Sequence, residues 1–303
     1  MFSVVKCFVP LPFPILPASI ALVLLLVPLF AFAFGGERCI RAAQSLPTLL
    51  RLAVPAVLVL PYVIVALNSH VLAVRWFLVY LLLPTLIASL ELLAARLDPG
   101  QRGHFLDFLV LIPLGLAVDL RWLEPAWPHK LAALGKLTLL DAGLYAFLAV
   151  RCLTGVGYSL RFRNRDWTTG LRELLFYMLI AVPVGLALGF LHFHRHIDHP
   201  WLLIPAWIAT FVTIALPEEI FFRGWMQNLL ERRLGRIPAL FATAVLFGLS
   251  HFNKRTAFFN WRYVLLAAIA GVFYGRAWRR DHRIAASAVT HSTVDTLWGA
   301  LLR

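Results

Sequence analysis

Residues 201–223 read WLLIPAWIATFVTIALPEEIFFR, an apolar run long enough to cross a bilayer that nevertheless contains two glutamates and an arginine. A span needs about 20 apolar residues, and an ionisable side chain at membrane depth is costly unless it faces another such group or water. Two later apolar stretches carry the same anomaly, at Phe247-Gly248-Leu249-Ser250-His251 and at His291-Ser292-Thr293-Val294-Asp295. The default interpretation is a functional site inside a membrane protein.

The composition indicates the same class of protein. Hydrophobic residues make up 61% of the chain and charged residues 14%, and the mean hydropathy is +0.80. These values exclude an ordinary soluble domain. They predict an all-α fold, a polytopic transmembrane helical bundle of about 8–10 spans. The candidate spans are 14–34, 52–70, 73–95, 105–120, 136–154, 173–192, 201–217, 238–253, 262–277 and 284–302, and the seventh is expected to continue as one helix to residue 234.

The net charge of +13 does not indicate nucleic-acid binding, because the basic residues are not gathered in one domain. They lie in alternate loops, which is the pattern of positive charge on the cytoplasmic side. The bilayer and its anionic head groups are therefore the expected partners, and no nucleic acid is expected. The basic loops contain Arg38, Arg41 and Arg51; Arg96 and Arg102; Arg161, Arg163, Arg165 and Arg172; Arg232, Arg233 and Arg236; and Arg276, Arg279, Arg280 and Arg283.

The N-terminal apolar run from Phe8 to Phe34 is longer than the core of a secretory signal, which spans about 7–15 residues, and so predicts an uncleaved anchor. Residues 1–160 carry isolated intramembrane charges without recurring spacing, and we assign these N-terminal transmembrane helices no role. The ordered motifs all lie in residues 172–303, which we expect to form the functional core.

Other patterns have structural interpretations. The glycine pairs Gly185/Gly189 and Gly271/Gly275 are spaced one helical turn apart and predict close helix packing. The histidines of residues 192–199 could bind a metal, but a solvated boundary loop is the favoured interpretation. Four tryptophans fit belts at the membrane interface, namely Trp201, Trp207, Trp261 and Trp278.

Helical spacing separates the charges of the seventh span by role. Glu219 and Arg223 are four residues apart, so they share a face and can neutralise each other. Glu218 lies about 100° round the helix and lacks that partner. A desolvated carboxylate near a cation can act as a general base for water. A purely structural ion pair is the alternative.

The two histidine motifs follow on later helices. Phe247 and His251 are four residues apart, as are His291 and Asp295, so each pair projects from one face. Asp295 could orient the His291 imidazole, or both could act directly. Taken alone, each histidine would be a hydrogen-bonded core residue or part of a local pair.

Four acid/base groups on three helices suit the activation of water for peptide hydrolysis, which makes Glu218, His251, His291 and Asp295 the candidate catalytic residues. Glu219, Arg223 and Phe247 are the candidate supporting residues. No cofactor is certain. A divalent metal such as zinc is the alternative, with Glu218, His251 and His291 as its ligands.

The motifs Glu-Glu-x-x-x-Arg, Phe-x-x-x-His and His-x-x-x-Asp, in this order over residues 172–303, resemble the CPBP (CAAX protease and bacteriocin-processing) family of glutamic-type intramembrane endopeptidases. The resemblance implies that Glu218 activates the water and that His251 helps to hold it. It implies that His291 and Asp295 bind the oxyanion, and that Glu219 and Arg223 keep the site in shape. Asp295 stands where many relatives have Asn, and an ionised Asp cannot donate a hydrogen bond.

The leading hypothesis is an integral membrane endopeptidase that cleaves a peptide or protein substrate presented at the membrane, in CAAX-type or C-terminal sorting-signal processing. A proton-coupled transporter that uses the Glu and His residues as a relay is the first alternative. A non-catalytic immunity or scaffold protein is the second. The composition, rich in Arg and Leu, favours the bacterial inner membrane as the location.

Overall fold

The computed structural model describes residues 15–128, 130–193, 199–254, 256 and 258–302. Within these residues there are ten long helices and no strand. They are α1 (Ile15–Gln44), α2 (Thr48–Asn68), α3 (Val74–Leu97), α4 (Phe105–Asp119), α5 (Ala133–Val150), α6 (Asn164–Ala187), α7 (Pro200–Leu234), α8 (Arg236–Leu249), α9 (Trp261–Asp281) and α10 (Ile284–Leu301).

Six of these helices, α1, α2, α3, α5, α6 and α7, are long and apolar enough to cross a membrane, as judged over the described residues. The prediction of an all-α, polytopic helical bundle is confirmed. The other four helices match predicted spans in position but are shorter or more polar. Helix α8 is apolar with 14 residues, and α9 carries four arginines and an aspartate. The expected continuation of the seventh span is confirmed, because α7 runs unbroken to Leu234.

The chain divides into two compact units, one ending at Thr154 and the other beginning at Gly155. The N-terminal unit contains α1–α5 and buries Arg151 among carboxylates. The Nε of Arg151 is 2.8 Å from Oδ1 of Asp107, and its Nη2 is 2.8 Å from Oδ2 of Asp98. Asp107 also caps α4 by accepting a hydrogen bond from the His104 amide at 2.6 Å. Arg151 thus connects the end of α3, the start of α4 and the end of α5.

The C-terminal unit packs α6, α8, α9 and α10 with the second half of α7, and small residues set the spacing. A Cβ on Gly271 would lie 2.9 Å from the Ala244 Cα, and one on Gly275 would lie 2.5 Å from the Gln227 Oε1. The close approach predicted for this pair is confirmed. The prediction for Gly189 is wrong: its φ of +61° ends α6 in a left-handed turn, and no atom of the described residues would crowd its Cβ.

Five helix termini meet at one end of this unit, which we call the basic end: the starts of α6, α8 and α10 and the ends of α7 and α9. Ion pairs join them. Arg283 Nε is 2.6 Å from Asp166 Oδ1, and Arg279 Nη2 is 2.7 Å from Glu231 Oε1. Trp278 is fully buried here and donates to the Val156 carbonyl at 3.1 Å. The expectation that Trp278 belongs to an interfacial belt is therefore wrong.

The opposite end of the unit, which we call the far end, gathers the ends of α6, α8 and α10 and the start of α9. The Trp298 ring is 5.8 Å from Phe190 and 5.3 Å from Tyr263. The His192 amide donates to the Leu302 carbonyl at 3.3 Å. The metal alternative for the histidine run depends on His194 and His196, which lie outside the described residues.

Candidate active site

The backbone of α7 changes its winding around the two glutamates. Phe211–Ala215 and Ile220–Gln227 are π-helical, and the α-helical turn Leu216–Glu219 lies between them. Such π segments are rare and occur often at functional sites. Here both carboxylates of this turn reach α10, although an ideal α-helix would point neighbouring side chains about 100° apart.

Glu219 joins the arginine of α7 to the histidine of α10. Its Oε1 accepts a hydrogen bond from Arg223 Nη1 at 3.2 Å and lies 2.8 Å from His291 Nδ1. Arg223 also donates from Nη2 to the Gly271 carbonyl at 3.0 Å. Glu219 and Arg223 are both fully buried. The i,i+4 contact predicted within α7 is present, and it extends to α9 and α10.

Both ring nitrogens of His291 face carboxylates. Nδ1 lies against Glu219, whereas Nε2 is 3.8 Å from Oε2 of Glu218 and 3.6 Å from Oδ2 of Asp295. Carboxylates on both sides of the ring favour the positively charged imidazolium form of His291. The closest carboxylate, and hence the one that fixes the ring, is Glu219 rather than Asp295.

His251 lies in the turn after α8 and is held by its own helix. Its Nδ1 is 2.9 Å from the Phe247 carbonyl and 3.1 Å from Ser250 Oγ. The carbonyl can only accept, so Nδ1 carries the proton and Nε2 keeps a lone pair. The Phe247 ring separates the two histidines, with centroids 5.0 Å from His251 and 5.6 Å from His291. The Arg223 guanidinium carbon lies 4.7 Å from the same ring.

Exposure distinguishes the carboxylates of the site. The side chains of Glu218 and Asp295 are 28% and 31% exposed, whereas Glu219 is fully buried. Oε2 of Glu218 is itself buried, and no hydrogen bond to it is found among the described residues. Glu218 therefore keeps a buried oxygen without a hydrogen-bond donor beside the His291 ring.

A cavity of about 60 Å³ opens beside the two histidines. Its polar wall comprises His251, His291 and Asp295, and the rest is mainly aromatic and aliphatic, including Tyr263 and Trp298. Glu218 is not among the described residues that line the cavity. Its carboxylate approaches His291 from α7 instead. Two of the candidate catalytic residues, Glu218 and Asp295, thus approach the His291 imidazole, and His251, His291 and Asp295 border the cavity.

Two tyrosines of the site were not anticipated from the sequence. Tyr274 stacks on His291 with a centroid distance of 4.5 Å and an interplanar angle of 18°, and Tyr263 lies 4.9 Å from His251. Tyr274 lies one turn after Gly271, so the glycine that marks the close approach of α8 and α9 was the available signal. Nothing in the sequence pattern singles out Tyr263.

The zinc alternative finds no support in this arrangement. Within the described part of the chain, no group of three or more His, Cys, Asp or Glu residues could hold a metal ion. Nδ1 of His251 contacts a backbone carbonyl, and both ring nitrogens of His291 face carboxylates. A metal bound to His291 would have to displace one of its carboxylate contacts, whereas Nε2 of His251 stays free among the residues that the structure describes.

Comparison with known proteins found a family match over the part of the chain that holds the candidate site. Residues 200–297 match the model of the Rce1-like family, described as type II CAAX prenyl endopeptidase Rce1-like. The match spans α7, α8, α9 and most of α10, which carry all of the candidate site residues. No curated protein and no solved structure matches the chain.

The family match and the apolar helices together fix the class of the protein. The six candidate spans make it an integral membrane protein, and a CAAX-type protease acts on a protein substrate that the membrane presents. Over residues 200–297 the chain matches the Rce1-like, CPBP family of intramembrane proteases.

Proposed function

We propose that the chain is an endopeptidase in which Glu218 activates a water molecule to hydrolyse a peptide bond of a membrane-anchored substrate. One observation carries the proposal. The accessible Glu218 and Asp295 carboxylates both approach the same nitrogen of His291, at 3.8 and 3.6 Å, and the other nitrogen is held by the buried Glu219. A base and a cationic hydrogen-bond donor side by side are what acyl hydrolysis requires.

In the proposed reaction, the Glu218 carboxylate takes a proton from water while the water oxygen attacks the scissile carbonyl carbon. Nε2 of His251, which keeps a lone pair, accepts a hydrogen bond from the same water. The carbonyl oxygen becomes an oxyanion and accepts a hydrogen bond from Nε2–H of His291. When the C–N bond breaks, protonated Glu218 gives its proton to the leaving amine, so the products are a carboxylic acid and an amine.

Asp295 acts through His291 in this proposal. An ionised aspartate cannot donate to an oxyanion. It can, however, stabilise the positive charge of the imidazolium that does donate. Glu219 does the same at Nδ1, and Arg223 balances the charge of Glu219 at 3.2 Å. The role of Phe247 is to space the two rings.

The substrate proposed is a peptide or protein held by a lipid anchor or by a terminal apolar segment, as in CAAX-type or C-terminal sorting-signal processing. The apolar wall of the cavity supports this class. We further propose the bacterial inner membrane as the location, because the chain is rich in Arg and Leu.

The test is cleavage by the purified protein reconstituted in liposomes. Two anchored fluorogenic peptides serve as probes, one with a prenylated cysteine terminus and one with an unprenylated apolar C-terminal segment. Glu218→Gln and His251→Ala are each expected to lower kcat by about 10²-fold or more. Glu91→Gln, which changes a buried glutamate of the N-terminal unit, is the matched control and should retain activity. Cleavage of wild-type rate by both site variants would refute the proposal.

The same preparation distinguishes the alternatives. Proton flux that is lost in Glu218→Gln and His251→Ala, without any peptide cleavage, would favour the transporter. Wild-type protein without either activity would favour the non-catalytic role. We expect cleavage to survive a chelator, and loss of cleavage that added Zn²⁺ restores would identify a metalloenzyme instead.

A further inference from the structure

We propose that the candidate active site opens on the non-cytoplasmic side of the membrane, and that its substrate is a membrane protein whose scissile segment has already been translocated. The substrate assignment rests on the proposed function, whereas the orientation of the site does not.

The basic end holds most of the positive charge of this unit. Eleven arginines lie there: Arg161, Arg163, Arg165, Arg172, Arg232, Arg233, Arg236, Arg276, Arg279, Arg280 and Arg283. Measured contacts place their helix termini together. Arg276 Nε is 2.9 Å from Glu173 Oε2, Arg165 Nη1 is 3.5 Å from Asp281 Oδ1, and the Ile284 amide donates to the Gly157 carbonyl at 3.0 Å.

At the far end, the described Lys and Arg residues are only Lys254 after α8 and Arg262 in the first turn of α9. The sequence adds three more in the adjoining segments, Arg195, Arg255 and Arg303, which lie outside the described residues. Loops rich in Lys and Arg are retained in the cytoplasm, and this rule counts positive residues rather than net charge. The ratio of eleven to five therefore assigns the basic end to the cytoplasmic side. The far end then lies on the opposite side.

The cavity belongs to the far end. Its wall includes Phe190 and Leu191 after α6, Tyr263 at the start of α9, and Trp298 and Leu302 at the end of α10. His251, which also lines it, follows the last residue of α8. None of the eleven arginines contributes to this wall in the described part of the chain. A substrate that enters this cavity approaches from the non-cytoplasmic side.

This orientation selects among the substrates of the proposed function. A soluble cytoplasmic protein that receives a prenyl group at its C-terminus presents that terminus at the basic end. A membrane protein with a terminal apolar segment presents the residues next to that segment on the far side once the chain has been translocated. The apolar and aromatic wall suits a side chain from such a segment. The structure thus points to a translocated, apolar-anchored substrate.

Cysteine labelling in intact cells tests the orientation. In a background with Cys7, Cys39 and Cys152 replaced by serine, Phe258→Cys reports on the far end and Leu234→Cys on the basic end. Both positions are exposed, at 86% and 51%. A membrane-impermeant maleimide added outside should label Phe258→Cys directly and Leu234→Cys only after the membrane is permeabilised. Labelling in the reverse order would overturn the inference.

Sidedness of cleavage tests the substrate assignment. The unprenylated anchored peptide is added to vesicles of known orientation, with detergent-solubilised protein as the reference. Cleavage is expected when the peptide is added to the face that carries Phe258, and cleavage only from the face that carries Leu234 would overturn the inference. If the detergent sample also fails to cleave, the proposed function fails, while the labelling result still decides the orientation.

Discussion

Arg151 and Arg223 are both buried arginines held by carboxylates, one in each unit of the chain, yet their surroundings differ. Around Arg151, Asp107 also caps α4, and both Asp98 oxygens accept backbone amides at 3.0 Å. Around Arg223, Glu219 also contacts Nδ1 of His291. The other ring nitrogen of His291 faces two partly exposed carboxylates. The carboxylates of the first cluster thus bind backbone amides, whereas the second cluster includes residues that line a cavity.

Glu91 shows that an unsatisfied carboxylate alone does not make a site. It is fully buried, its nearest cation is Arg151 at 3.9 Å, and neither of its oxygens has a hydrogen bond among the described residues. Glu218 also has an unsatisfied oxygen, but its side chain is 28% exposed. Partial exposure of the Glu218 side chain thus distinguishes it from the fully buried Glu91.

Removing the arginine of the closed cluster should have the largest effect on stability. Arg151→Met leaves Asp98 and Asp107 facing each other without a cation, and breaking a buried pair in this way costs about 3–5 kcal/mol. The midpoint of thermal unfolding in detergent measures the loss, with the exposed Arg41→Met as control. A change no larger than that of the control would mean that the cluster does not hold this unit together.

Removing the charge of Glu219 should lower activity, and it should also lower stability because the buried Arg223 loses its counter-ion. Glu219→Gln keeps the shape of the side chain but weakens the hold on His291, and loss of such a positioning partner typically costs about 10–100-fold in activity. The measurement is kcat on the anchored peptide. Glu91→Gln, the equivalent change beside Arg151, should leave kcat unchanged. If both variants lost the same fraction of kcat, the two clusters would not differ in their effect on activity.

The smallest effect is expected from the pH response of Asp98. Burial raises the pKa of Asp98. Hydrogen bonds from the Arg102 and Gly103 amides and the charge of Arg151 lower it by more than burial raises it, so the net pKa lies below its usual value. The ionised carboxylate therefore stabilises the fold at neutral pH. That contribution is lost as the pH falls through the folded pKa, below about pH 4.

Comparison of wild type with Asp98→Asn measures the contribution of the Asp98 charge to the free energy of unfolding. The variant should be less stable than wild type by about 1 kcal/mol at neutral pH, and the difference should shrink towards pH 3. Unfolding midpoints measured between pH 3 and 7 provide the check. A difference that stays constant with pH would show that the Asp98 charge does not contribute.

The sequence predicted the elements better than their interior geometry. Apolar runs located the ten long helices of the described residues, and six of these have the length and composition that crossing a bilayer requires. Periodicity also paired Glu219 with Arg223. It could not reveal the π-helical segments on either side of Leu216–Glu219, because they depend on packing against neighbouring helices rather than on local residue preferences.

Contacts between helices were equally hidden. Nothing in the spacing of His291 indicates that Glu219, 72 residues away, holds its Nδ1. The same is true of Tyr274, whose ring stacks on that imidazole. Trp278 was assigned to the interface on residue type, and its burial against Val156 shows that type alone does not decide depth.

The sequence by itself determined a membrane-spanning helical protein and the motifs that carry its acid/base groups. Those properties follow from hydropathy and from spacing along one helix, which are local quantities. Only the tertiary structure decided which carboxylate orients His291, which oxygen of Glu218 remains open, and where the cavity lies. These depend on side chains brought together from α7, α8, α9 and α10, and no one-dimensional pattern encodes the distances between them.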